Sequence, residues 1–584
     1  MNQPAPVPGG SGPAGDDSLL TLITHAWAWL GLAGRIAVVF VVAAALLWLL
    51  VRGLIRLGRG GRRSLLWGLT GACFVGFAGL GWWARVLPEQ RGMSFVMWHQ
   101  LVRAGAALTA TGFVIGFLAL ALPPLFNRFE RMGFVSFLAI RHVRASKSGF
   151  LTVISILSMA GVAVSSFALC AVISIMGGFG ADLKRKILGN NAHIKLETGT
   201  VGGFEGWKEV LALVRKTPGV EAATPVAAGE AMASSGTNTA GVLVRGIEPS
   251  SIGKVIDLVD NVEVGKFSYL QSPAKLVELP PDEPIGLGSG GQKYLKGPNP
   301  KPFFTKDQNS ALTLPDEVDE VYPGLIIGRE LAKTLHVYVG DEVTLISPFG
   351  DLGPMGVLPR SRQYRIAGIF YSGMYEYDAS QAYMLLPAAQ EFLDLGTRIT
   401  GVDVKVTDAE RVDAVRQRIQ ERLTRKDLVV RDWKDLNKNL FSALKLEKIA
   451  TFIILSIAIA VASFCIICTL LLMVTEKSKE IAILKAVGAS DRAVLRVFMA
   501  EGMIIGAIGT VFGIVTGWVS MRGLEAFGLR LDPDVYYVDR LPILVDYKDY
   551  LLVGLAGFAI TTLATVYPAI SASRLRPVEG IRYE

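Results

Sequence analysis

Charged and uncharged stretches alternate along this chain in long blocks. Residues 150–176 carry no charge, nor do residues 449–474, and a polar block, residues 178–447, lies between them. A hydrocarbon core ~30 Å thick is spanned by ~20 apolar residues in a helix. Seven stretches meet that length: residues 30–51, 65–87, 101–122, 150–176, 449–474, 497–521 and 551–571. The first and third carry Arg35 and Arg103 near one end, where a long side chain can reach the headgroups. The pattern predicts a polytopic α-helical membrane protein with seven transmembrane helices and one large water-facing island between the fourth and fifth.

Within the island the period shortens. Trp207, Val210, Leu211 and Val214 recur at helical spacing, and Val412, Val415, Ile419 and Leu423 repeat the form. The alternating runs HIKLE (193–197), VTLIS (343–347), YRIAGIF (364–370), AYMLL (382–386) and VDVKV (402–406) read as strands. The mixture predicts an α+β domain of two subdomains. Residues 277–316 interrupt it with seven prolines, several glycines and no periodicity, which predicts a long surface insertion or a partly disordered segment. The run GLGSGGQK (286–293) inside it lacks the Gly-Lys-Ser/Thr ending of a phosphate loop and reads as a flexible loop.

Two short polar segments carry candidate contacts. SPFGDLGPMGVLPRSR (347–362) joins two predicted strands and is long enough for a hairpin arm. Spacing fits two readings equally: an outward arm whose Met and Leu side chains adapt to a protein partner, or a hairpin packed back on the island. TEKSKEIAILKAVGASDRAVLR (475–496) places Ile481, Leu484 and Val487 on an expected apolar face, with Glu480 and Lys485 elsewhere. Gly488 is placed to end that helix, and Ser490 or Asp491 to cap the next. Charge alternation favours a plain helical connection over a partner contact.

Composition agrees with the membrane class: 51% of the 584 residues are hydrophobic and 19% charged, with a mean hydropathy of +0.42. Basic residues in short loops set the orientation. RGLIRLGRGGRR (52–63), Lys477, Lys479, Lys485 and Arg492, and the tail with Arg574, Arg576 and Arg582 are basic, whereas Asp16, Asp17 and residues 532–549 are acid-rich. The N-terminus and the island are therefore expected outside and the C-terminus in the cytoplasm. The net charge of +8 reflects this asymmetry and does not call for nucleic acid. Cys73, Cys170, Cys465 and Cys468 all fall in predicted spans, so no disulfide is expected in the island. The CxxC at 465–468 reads as small apolar residues within a span. His193 and His336 lack metal-ligand spacing, and no metal or catalytic site is expected.

Three segments carry a family resemblance. EKSKEIAILKAVGASDRAVLRVFMAEGMIIGAIGTVFGIVTG (476–517) and FLAIRHVRASKSGFLTVISILSMAGVAV (137–164) resemble the FtsX/MacB-like superfamily of ABC permeases. LISPFGDLGPMGVLPRSRQYRIAGIFYSGMYEYDASQAYML (345–385) is similar to the lipoprotein-releasing permeases of Gram-negative envelopes. The resemblance covers roughly residues 134–584, and the family pattern has four spans, so three are extra.

The resemblance implies a non-catalytic permease subunit in the bacterial inner membrane, working by mechanotransmission. Its partners would be an ABC ATPase dimer, which binds ATP and Mg, and a second copy of itself or a related permease. A triacylated lipoprotein would be the cargo and a soluble periplasmic carrier the receiver. The resemblance puts the carrier-binding hook at Phe349, Leu352, Met355, Gly356, Val357, Leu358, Pro359 and Arg360. It puts ATPase coupling at Glu480, Ile481, Ile483, Leu484, Lys485, Val487 and Gly488. A lipid cavity is expected from Ala171, Ile175, Met176, Phe452 and Ile453. It would raise the hook above the packed-hairpin reading. Expected segments are a disordered start (1–18), three extra spans (19–126), an amphipathic segment (127–149), the fourth span with its stalk (150–177) and the periplasmic domain (178–447). The fifth span (448–474), the coupling segment (475–496), the sixth span (497–521), a periplasmic loop (522–549), the seventh span (550–573) and the tail (574–584) complete the chain. Competing expectations are a lever controlling a cell-wall hydrolase and a peptide or toxin efflux permease.

Overall fold

The computed structural model describes residues 59–87, 97–131, 133–144, 149–198, 202–236, 238–277, 279–287, 293–297, 321–353, 356–423, 425, 427–531, 537–538 and 540–576. The first predicted span lies outside these. Among the described residues six helices are long and apolar enough to cross a membrane, where the sequence predicts seven.

Two of them precede the island's stalk: α1 (Arg59–Val86) and α2 (Met97–Phe129). A short helix α3 (Phe134–Arg144) leads to α4 (Gly149–Asn190), which has 42 residues. At 1.5 Å per residue α4 is ~63 Å long, twice a hydrocarbon core. The helix therefore does not stop at Met176, where the apolar run ends. It continues through residues 177–190 as a stalk.

The island starts directly on that stalk. Its elements are β1 (Ile194–Thr198), α5 (Trp207–Arg215), β2 (Val220–Ser234), β3 (Thr239–Ile247), β4 (Val262–Gly265), the hairpin β5 (Pro284–Leu287) and β6 (Lys293–Leu295), β7 (Gly324–Gly328) and α6 (Arg329–Leu335). Then come β8 (Glu342–Gly353), β9 (Gly356–Phe370), α7 (Tyr375–Ser380), β10 (Gln381–Leu385), α8 (Leu386–Phe392), β11 (Gly401–Val406), α9 (Val412–Arg422) and β12 (Leu428–Asp432). The strands line up as β12-β1-β11-β2-β3-β10-β7-β9-β4, with β8 against β2 and β9. The α+β expectation is met, but one ten-stranded sheet runs through the island, with the β5–β6 hairpin as a separate two-stranded sheet. A single buried apolar cluster, from Ile194 and Leu196 through Val244 and Ile247 to Leu325 and Ile366, accompanies it. The two expected subdomains thus share one sheet and one core. The edge strand β12 alternates buried and exposed, as a half-covered strand must, while β7 is buried throughout.

Of the Pro/Gly-rich insertion, residues 278, 288–292 and 298–316 lie outside the described residues, and the described part is only partly surface. Leu279 is buried, Ile285 packs on the main cluster, and the Val339 amide donates to the Ile285 carbonyl at 2.9 Å. Gly286 sits against the Tyr338 ring, with no room for a side chain. The Gly-rich run thus begins in β5 and ends at Lys293 in β6.

The chain leaves the island through α10 (Lys438–Glu476), 39 residues and ~58 Å long, again stalk and span in one helix. A nine-residue helix α11 (Ser478–Ala486), the span α12 (Asp491–Phe527) and the span α13 (Tyr547–Ser573) come after it. Glycines let α12 sit at the centre. A Cβ on Gly502 or Gly506 would overlap Thr565 or Thr561 of α13. One on Gly509, Gly513 or Gly517 would meet Met159, Ala163 or Cys170 of α4. Lipid gives no hydrophobic drive between helices, so this close contact is what holds them. Hydrogen bonds Ser158–Thr469 (2.8 Å), Ser174–Tyr550 (2.9 Å) and Thr111–Ser520 (2.7 Å) join α4 to α10, α4 to α13 and α2 to α12. Each contributes roughly 0.6 kcal/mol.

Candidate functional site

At the end of the bundle away from the island, α11 lies across the ends of α12 and α13. Its stop is a Schellman motif: the Gly488 amide donates to Lys485 and the Ala489 amide to Leu484, with Gly488 at φ +107°. Ser490 then caps α12 by accepting from the Ala493 amide. Both turn expectations hold.

The expected apolar face does not. Ile481 is 2% exposed and packs with Val474, Val494, Phe498, Ala569 and Ala572. Val487 is 85% exposed and Ile483 57%. At 100° per residue, 481 and 487 point to different sides, whereas 481 and 485 share one. Accordingly Lys485 also turns inward. Its ammonium donates to the carbonyl oxygens of Ser573 (2.6 Å) and Leu575 (2.9 Å) and pairs with Asp491 at 2.6 Å. Leu484 is half-buried, and Glu480 is exposed and paired with Lys477 at 2.6 Å. So Ile481 and Lys485 fix α11 to the bundle, while Ile483, Val487 and Glu480 remain available to a partner.

On the island, residues 347–353 and 356–362 continue two strands, as the hairpin expectation has it. β8 and β9 stay paired out to Gly353 opposite Gly356, with a register shift between Ser347 and Asp351 that bends the ladder. Phe349, Leu352, Gly356, Val357 and Leu358 lie on these strands, and Met355 falls outside the described residues. The root of the arm is firm. Val343, Leu345 and Tyr364 are buried in the core, and the Tyr364 ring meets Phe392 edge-on. Arg360 pairs with Asp394 at 3.1 Å and Arg362 with Glu391 at 2.6 Å, pinning the arm to the end of α8. Arg360 is thus an anchor of the arm's root, and Pro359, exposed in β9, lacks the amide an added strand would need.

The five expected cavity residues do not share one environment. Ala171, Ile175 and Met176 are half-buried on α4. Phe452 packs against Leu169, Cys170, Ile173 and Tyr550, whereas its neighbour Ile453 is exposed. Successive helix residues diverge by 100°, so one face cannot hold both.

The stalk meets the island in a polar joint. Asn190 donates to the Ser372 carbonyl (2.9 Å) and accepts from Asn261 (2.8 Å), while Asn191 donates to the Tyr377 hydroxyl (2.7 Å). Beside it Asp378 is fully buried, its Oδ1 accepting from the Ser372 amide at 2.8 Å. Burial pushes the Asp378 carboxyl up to about 6. A cavity of about 490 Å³ opens here between Asp182, Arg185 and Lys186 of the stalk, Asn261 and Ser372 of the island, and the 540–544 segment. Arg329 stacks on Tyr371 at 3.8 Å, and Lys186 donates to the Tyr537 carbonyl at 2.9 Å. Sequence reasoning misses this joint because its members are far apart in the chain. The Tyr-rich YSGMYEYD run (371–378) is its one visible signal.

Among the described residues no cluster of His, Cys, Asp and Glu could hold a metal ion.

Two family models match the chain. One described as FtsX-like permease C-terminal matches residues 452–577, and one described as MacB-like periplasmic core domain matches residues 155–275 and 286–422. The chain is 31% identical over 460 residues to the lipoprotein-releasing system transmembrane protein LolC of Neisseria meningitidis serogroup B, covering 77% of this chain and 99% of that protein. It is 30% identical over 457 residues to LolC of Xylella fastidiosa strain Temecula1, covering 76% and 98%. To LolE of Haemophilus influenzae it is 25% identical over 461 residues, again 76% and 98%. Both family models begin beyond α1 and α2.

Proposed function

The chain belongs to the family of lipoprotein-releasing permeases of the LolC/LolE type, and from that premise we propose that it is the lever of an ATP-driven release machine in the bacterial inner membrane. It takes triacylated lipoproteins from the outer leaflet and passes them to a soluble periplasmic carrier. The N-terminus and the island lie in the periplasm and the C-terminus in the cytoplasm, in line with the basic loops.

One observation carries the lever: α4 and α10 run unbroken from the bundle into the island, so a tilt at one end is a displacement at the other. The drive enters at α11, where Ile483 and Val487 meet a dimeric ATPase that binds ATP and Mg. Ile481 and Lys485 pass the movement to α12 and α13.

The energetics favour a handover over ejection into water. Each buried CH₂ is worth ~0.8 kcal/mol, so exposing three long acyl chains costs on the order of 30 kcal/mol. The chains must move from one greasy site to another. The first is a cavity formed between this chain and a second copy or a related permease, with Ala171, Ile175, Met176 and Ile453 contributing. The second is the carrier, recruited by the β8–β9 arm. The test is to purify the chain with its co-expressed ATPase and identify the lipid-modified protein that comes with it. A complex that carries no acylated protein, with or without nucleotide, would overturn the proposal.

A further inference from the structure

The span α2 precedes the family-matched region, and near its start it is tied to the working part of the chain. Gln100 and Arg103 lie one turn apart there, and both are buried, Arg103 at 8% exposure. The Arg103 guanidinium donates to the carbonyl of Gly528 at 3.3 Å, and the Gln100 carbonyl oxygen accepts from the Arg530 amide at 2.9 Å. Gly528 is the left-handed C-cap of α12, at φ +58°. A cation there satisfies a helix-end carbonyl and sits at the negative end of the helix dipole. Arg103 therefore does not reach out to the headgroups. It grips the outer end of α12.

Beyond that end the chain forms a strap. The Leu541 amide donates to the Leu529 carbonyl at 2.8 Å, and Arg530 forms an antiparallel bridge with Arg540, so residues 529–530 and 540–541 run side by side. The strap then presses on the stalk. The Leu544 amide donates to the Ser174 carbonyl of α4 at 3.0 Å, and the Pro542 carbonyl lies so close to Gly178 that a Cβ there would overlap it. Ser174 and Gly178 mark the point where α4 passes from span to stalk.

We propose that Gln100 and Arg103 are positioning residues for release: through the strap they clamp α4 where the stalk emerges, so that a tilt of the bundle is delivered to the island rather than lost in a bend at Gly177–Gly178. Helices bend at glycines and where an inserted group loosens the ladder, and α4 has two adjacent glycines at this spot. The brace comes from α2, a part of the chain that the family models do not reach. This role rests on the proposed release function, but the clamp itself is read independently of it.

The test uses the full chain with its ATPase in proteoliposomes. Arg185 and Arg540 line the same cavity above the clamp, so Arg185→Cys and Arg540→Cys provide a pair for a membrane-impermeant bis-maleimide, which spares the native cysteines in the spans. In an otherwise unaltered chain the pair should cross-link efficiently. Adding Gln100→Ala and Arg103→Ala should lower the yield about threefold or more, and Arg103→Lys should restore much of it. In the chain without the cysteine pair, Gln100→Ala with Arg103→Ala should lower lipoprotein release per ATP hydrolysed by a similar factor, with ATP turnover retained. Gln100→Ala alone, a milder change, should give an intermediate loss of both readouts. An unchanged cross-link in the alanine variants would overturn the clamp. A lost cross-link with unchanged release per ATP would overturn its part in transport. If the unaltered complex releases no lipoprotein at all, the release function fails while the cross-link still decides the clamp.

Discussion

Lys485 donates its ammonium to the carbonyl oxygen of Ser573 at 2.6 Å, joining α11 to the last turn of α13. A lysine at a helix C-terminus fills orphan carbonyls and complements the dipole. Replacing it with Met keeps the stem and removes the donor, leaving those carbonyls unsatisfied at a cost of about 1–3 kcal/mol. Lys485→Met should therefore still bind the ATPase but transmit poorly. Co-purification should be unchanged, and lipoprotein release per ATP should fall about tenfold, the effect of ~1.4 kcal/mol lost from coupling. Equal loss of ATPase binding would show that Lys485 touches the partner after all.

The two faces of α11 should separate by mutation. Val487→Asp and Ile483→Asp put a charge on the exposed side, so ATPase binding should be lost while thermal stability of the isolated permease stays within about 0.5 kcal/mol. Ile481→Asp buries an unpaired carboxylate among Val494, Phe498 and Ala569 and should destabilise the bundle by several kcal/mol, roughly 3–5. Detergent melting curves and ATPase pull-downs read the two outcomes separately.

The glycine seam of α12 makes a sharper packing prediction. Gly513→Leu drives a side chain into Ala163 and Ser166 of α4 and should cost about 1–3 kcal/mol or more, with loss of assembled protein. Gly79 in α1 has open space around its missing Cβ. Gly79→Ala should be neutral or stabilising by about 0.4–1 kcal/mol. A tolerated Gly513→Leu would mean that α4 and α12 do not approach as closely as described.

Asp378 gives the island a pH signature. Its folded carboxyl titrates near about 6, above the unfolded value of 3.8. Below 3.8 both states hold the proton and nothing is gained or lost. Between the two values the folded state binds the proton more tightly, so stability falls as pH rises, and the loss is complete once pH passes about 6. The size is on the order of 3 kcal/mol. Unfolding of the full chain should therefore shift to lower temperature as pH rises from about 4 to about 6, and Asp378→Asn should remove that part of the slope. An identical slope in the variant would assign it to other groups.

The sequence made the periodic parts of this protein legible. Apolar length found the six described spans, alternation found β1, β8, β9, β10 and β11, and Gly488 and Ser490 announced the turn after α11. It misled where direction mattered. Ile481, Leu484 and Val487 look like one face on paper, but a step of six residues is ~600° of helix rotation, and Val487 ends up well away from Ile481. The hairpin form of 347–362 was legible from its length and its flanking strands, but the register shift between Ser347 and Asp351 was not. The joint at Asn190, Asn261, Ser372 and Asp378 and the grip of Arg103 on Gly528 could not be read at all. Each unites residues brought together only by folding, and a lone Arg at a span end has the same pattern whether it snorkels or caps a neighbour.

The most direct measurement is transfer of a triacylated lipoprotein from proteoliposomes holding this chain and its ATPase to a soluble carrier protein. The account predicts transfer that requires ATP, the carrier and the arm: deleting residues 352–359 should abolish transfer and carrier pull-down while ATP hydrolysis and ATPase assembly remain. Transfer that proceeds equally without the arm, or lipoprotein that stays in the membrane with every component present, would contradict it.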